Sequence, residues 1–76
     1  MQDLNRIVHK ADVMGGKPCI SGTRVTVAAV VGRLGTGSSV DDVLQDYPYL
    51  EREDVLQAIR YAAWLSEERE VVLISA

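Results

Sequence analysis

A few residue types in this 76-residue chain could do chemistry, and the first question is whether their spacing allows it. Gly15-Gly16-Lys17 ends like a phosphate-cradling loop. The pattern GxxxxGK[ST] fails, however, because Ala11 stands where its first glycine belongs and Pro18 replaces the Ser or Thr that would hold magnesium. His9 and Cys19 are the single histidine and single cysteine, and together they could supply a base and a thiolate. The same cysteine equally suits a small buried hydrophobe in a basic loop. One histidine and one cysteine leave no metal-ligand cluster and no internal disulfide. No carboxylate pair stands at the spacing or in the kind of pocket that general acid–base work needs. The expectation is a protein that is not an enzyme, with no catalytic residues, no cofactor and no metal.

Binding chemistry is better represented. Gln57 and Arg60 carry forked polar ends of the kind that read adenine and guanine edges. Lys10, Lys17, Arg24, Arg33 and Arg52 could meet phosphates. The charge is −3 overall but divided: residues 1–33 hold five cations against two carboxylates, and residues 34–76 hold three against nine. Such a basic front and acidic back can mark faces for two different partners, or be ordinary solvated surface. Glu51, Glu53 and Asp54 oppose DNA binding, since carboxylates in the first turn of a recognition helix repel phosphates. Arg24 has two readings: a clamp on a phosphate or carboxylate of a partner, or a structural tie to Asp12, Asp46 or a helix-end carbonyl.

A third group is apolar. If Val55, Ile59 and Ala62 face inward, a step of about 100° per residue puts Tyr61 and Trp64 on the opposite face with Gln57 and Arg60. An outward Trp is the residue type most enriched at interface centres. Tyr61, Trp64 and Leu65, with the run Val71, Val72, Leu73 and Ile74, are therefore candidates for a partner or dimer interface. The alternative is that the tail folds back over the indole within one subunit.

The elements that position these residues follow from breakers and periodicity. Length and a 47% apolar share give one domain, 1–76, too apolar to be disordered. No apolar run reaches the roughly 20 residues of a membrane span, and the start lacks a secretory core, which predicts a cytoplasmic protein with no membrane partner. Residues 6–26 form a β-hairpin and loop element, with strand candidates at Arg6–His9, Lys17–Ile20 and Thr23–Thr26 around a Ser21-Gly22 turn. Val27, Val30, Val31 and Leu34 predict a helix over 27–35, capped by Thr26. Val40, Val43, Leu44 and Tyr47 predict a second over 39–47, opened by Ser39 with Asp42 three residues on and closed by Pro48. A third runs over 51–69, and residues 70–76 are a tail. The fold class is mainly α with a short N-terminal β element and a three-helix, helix-turn-helix core of homeodomain-like or winged-helix-like type.

The string ADVMGGKPCISGTRVTV, then a helix, then GxSxxDVLxDYPxL, then an acidic helix start leading to AIRYAA, resembles the bacterial and archaeal domain-of-unknown-function family 433. The resemblance runs from about Arg6 to Leu65. It departs at Glu51, where a Thr often caps the third helix, and at Val40, where a Pro often opens the second. It implies a small helix-turn-helix-like protein of the VapB-type antitoxin class, the non-enzymatic half of a type II toxin–antitoxin module. The chain is expected to pair as a homodimer, and a PIN-like toxin and promoter DNA are then the partners that the resemblance implies. The opposing reading is a homodimeric interaction module that never touches DNA.

Overall fold

The computed structural model describes residues 4–68. Two strands, β1 (Ile7–Val8) and β2 (Cys19–Ile20), pair antiparallel with Ile7 opposite Ile20 and Val8 opposite Cys19. Three helices follow: α1 (Val27–Gly35), α2 (Val40–Asp46) and α3 (Arg52–Glu68). This is the fold class expected from the sequence, with helix ends within a residue of those predicted where they are described. The third expected strand is reduced to a single bridge between Cys19 and Thr26. Residue 69 and the tail 70–76, with its interface candidates Val71, Val72, Leu73 and Ile74, lie outside the described residues.

Local chemistry explains each boundary. The turn after β2 closes with Thr23 N–H donating to Ile20 C=O at 3.1 Å, and its third residue, Gly22, sits at φ +78. A type II turn asks for that conformation there, and glycine adopts it without strain. Thr26 Oγ1 then accepts the Ala29 N–H at 3.0 Å and starts α1. The helix stops as Ser38 N–H returns to Arg33 C=O and Gly37 turns left-handed, the motif that satisfies orphan carbonyls at helix ends. Ser39 and Asp42 form a complete capping box at the head of α2, with bonds of 2.9 and 3.0 Å. The expected loss of a cap at Glu51 is met differently. The Glu51 N–H donates to Asp54 Oδ2 at 2.7 Å, and its carboxylate is used elsewhere.

The core is aliphatic. Ile20 from the sheet, Val27 and Val30 from α1, Val43 from α2, and Val55 and Ala58 from α3 meet with Val25, Leu50 and Tyr61. Val30, Val43 and Val55 are fully buried, each contributing roughly 1.5–3 kcal/mol of hydrophobic transfer.

The phase of α3 differs from the expectation. Val55 and Ala58 face inward as a stripe of that spacing requires, but they do so with Asp54, Gln57 and Tyr61, whereas Ile59 is 38% exposed and Ala62 only half-buried. The β element causes this. It packs along one flank of α3, so the buried arc spans both the α1 side and the β1 side, wider than the apolar stripe alone.

Candidate binding surface

The head of α3 is a charge network closed from the front of the chain. Arg6 Nη1 bonds Glu51 Oε1 at 2.6 Å and Asp54 Oδ1 at 3.2 Å. Those two bonds, Glu51 first, hold the guanidinium pKa above its ordinary value. Gln57 Oε1 accepts the backbone N–H of Arg6 at 2.9 Å, and Gln57 Nε2 donates to Asn5 Oδ1 at 2.9 Å and Glu53 Oε2 at 3.1 Å. Glu53 in turn pairs with Arg60 at 3.1 Å.

This geometry corrects the reading of Gln57 as a base-contacting residue. The side chain is 3% exposed and its amide is committed on both ends. The physical reason is that the Arg6 N–H, at the edge of β1, takes its acceptor from the Gln57 side chain, while the Arg6 C=O is met by Ser21 N–H. The other candidates for DNA contact divide into two sets. Arg33 pairs with Asp46 at 2.7 Å and also donates to Ser38, Arg52 pairs with Asp41, and Arg60 with Glu53. Lys10, Lys17 and Arg24 are exposed and have no ion-pair partner among the described residues. Arg24 therefore makes none of the expected ties to Asp12 or Asp46; Asp46 belongs to Arg33.

Tyr61 and Trp64 also sit differently from the outward placement expected of them. Tyr61 is 5% exposed, and its hydroxyl shares a hydrogen bond of 2.9 Å with His9 Nε2. Trp64 is half-buried, packed on the core and tilted against Tyr61 with ring centroids 5.9 Å apart. Leu65 is half-buried beside them. The outward apolar side chains of α3 are instead Leu56 at 37% and Ile59 at 38% exposure, with Ala63 exposed on the same face. Sequence reasoning missed these two because Ile59 completes an i, i+4 pair with Val55 and reads as core.

The unpaired front cations stand beside two concavities. Lys10 and Arg24 border a cavity of about 220 Å³. Arg24 is shared with a wider groove that reaches Tyr49, an aromatic side chain 63% exposed in the turn between α2 and α3. Cys19 is buried, and its Sγ donates to Lys17 C=O at 3.3 Å. His9 bonds Tyr61. The two residues that could have made a thiolate–base pair thus have separate structural partners. Among the described residues no group of His, Cys, Asp or Glu could hold a metal, and no helix is long and apolar enough to cross a membrane.

Comparison with known proteins places the arrangement. The uncharacterized protein y4eO of Sinorhizobium fredii is 36% identical over 56 residues, which is 74% of this chain but 25% of that protein. A crystal structure of a DUF433 member from Anabaena variabilis superposes with a TM-score of 0.79 at 31% identity, covering 84% of this chain and 63% of that one. This chain thus spans a quarter of the curated relative and less than two thirds of the solved one. Residues 7–62, from β1 through most of α3, match the family described as protein of unknown function (DUF433), and the chain belongs to that family.

Proposed function

We propose that this chain works by binding alone, as the antitoxin-like member of a two-protein module whose partner is a PIN-like toxin, with promoter DNA as a second ligand. The observation that carries the reading is the division of charge. The arginines of α1 and α3 are paired within the fold, while Lys10 and Lys17 in the β1–β2 connection and Arg24 between β2 and α1 stay available to a partner. The carboxylates at the head of α3 are likewise neutralised by Arg6 and Arg60, so their repulsion of an anionic ligand is weaker than the sequence implies. Co-expression with the product of the adjacent gene, followed by co-purification, tests the toxin reading; a neighbour that is not PIN-like, or that never co-purifies, removes it. For DNA, a mobility shift across a salt series applies. Three available cations limit the slope of log K against log salt to about −3 per chain.

A second reading, a homodimer that does not bind DNA, is favoured by the apolar face of α3. Leu56, Ile59 and Ala63 recur at i, i+3 and i+7 on exposed helix surface. Light scattering of the wild type and of Ile59→Lys, with the mobility shift, tests it: a dimer that becomes a monomer and shifts no DNA supports this reading, and a wild-type monomer ends it.

A further inference from the structure

The cavity beside β2 joins an apolar wall to a charged rim. Its inner wall is apolar, formed by half-buried Val8 and Val13 with fully buried Cys19. The polar side chains next to that wall are already hydrogen-bonded within the fold. Cys19 Sγ donates to Lys17 C=O, and Thr23 Oγ1 donates to Ile20 C=O at 2.8 Å while accepting the Val25 N–H at 3.0 Å. What remains open is a pair of exposed cations, Lys10 and Arg24, at the mouth, and no carboxylate lines the space. The turn that carries Arg24 is held by its own hydrogen bonds and by the left-handed Gly22, so Arg24 is mounted on a fixed support.

We propose that this cavity is a binding site for a small amphipathic anion: a carboxylate or phosphate on a short aliphatic body. The aliphatic part would lie against Val8, Val13 and Cys19, and the anionic head would take hydrogen bonds from Lys10 and Arg24. The apolar wall rules against a bare inorganic ion as the preferred ligand, and the two cations rule against a neutral one. A volume of about 220 Å³ is below the roughly 300–1,000 Å³ of pockets for drug-sized ligands, which sets the body at a few carbons. The site shares Lys10 and Arg24 with the surface proposed above for a partner, but small-anion binding and toxin binding are read by separate experiments, so either can fail without the other.

The test is a titration of the full chain with n-butyl phosphate, valerate, inorganic phosphate and n-butanol, followed by backbone amide NMR. Butyl phosphate or valerate is expected to shift Lys10, Gly22, Thr23 and Arg24 selectively, the two together showing which head is preferred. Inorganic phosphate and butanol should each bind roughly tenfold more weakly, or worse. Arg24→Gln, a change at an exposed side chain, should weaken the favoured anion by about tenfold. Val13→Phe, which fills the space, should abolish binding while shifts in α2 and α3 stay native. Equal affinity for inorganic phosphate and butyl phosphate would overturn the proposal, as would shifts scattered over the surface or an Arg24→Gln variant that binds like the wild type.

Discussion

The backbone N–H of Arg6 donates to Gln57 Oε1 at 2.9 Å, joining two residues 51 positions apart. That bond fixes the N-terminal strand to α3, and the same amide holds Asn5 from its other end. Gln57→Ala should therefore destabilise the fold by about 1–3 kcal/mol, because it removes the acceptor of the Arg6 N–H and the donor to Asn5 Oδ1 together. Urea unfolding should show a lower midpoint with an unchanged slope. A midpoint equal to the wild type would mean that water replaces the glutamine at no cost.

Arg6 bridges Glu51 and Asp54, and without it Asp54, at 8% exposure, keeps its bond to the Glu51 N–H but no cation. Arg6→Gln should lower stability at neutral pH, and the gap from the wild type should narrow as salt is added, since the pairing is electrostatic and partly solvated. Thermal melts at low and high ionic strength measure this; a gap that ignores salt would assign the loss to packing of the arginine stem instead.

The Asp42 carboxylate is held below its ordinary pKa of 3.8, first by the backbone N–H of Ser39 and then by the Ser39 hydroxyl side of the same box. A depressed folded-state value means that its contribution is present above the unfolded value and is lost as pH falls through the folded one. Acidification below about 3.8 should therefore remove it, and Asp42→Asn should flatten that part of the stability profile. Identical acid limbs for the two proteins would show that the box has no ionic component.

Gly22 has φ +78, and a Cβ built there would meet nothing within 4 Å. Gly22→Ala thus isolates backbone strain from crowding, and about 1–2 kcal/mol of destabilisation is expected from the left-handed conformation alone. Calorimetry gives the value directly. The cavity walls contributed by β1 and β2 should survive the change, visible as unaltered amide shifts for Val8 and Cys19.

Much of this fold was legible in the residues. The caps at Thr26 and Ser39, the stop at Pro48 and the Ser-Gly turn are local chemistry, settled within four or five positions, and each stands where the sequence puts it. The orientation of α3 was not legible. Val55, Ile59 and Ala62 make as good an inward stripe as the one observed, and only the docking of β1, a contact between distant segments, selects the phase that buries Gln57 and Tyr61. The same long-range placement decides which cations remain available. Arg33 and Lys17 look alike in a sequence, but α2 brings Asp46 to one of them and nothing among the described residues to the other.

Because Arg6 and Arg33 are folded onto carboxylates from the second half of the chain, the positive pole that the sequence suggests shrinks to Lys10, Lys17 and Arg24. A charged molecule feels that smaller pole only within about a Debye length, roughly 10 Å at 0.1 M salt. Encounters are then governed by diffusion and close-range fit, and association should be slower but less sensitive to ionic strength than for a strongly dipolar binder.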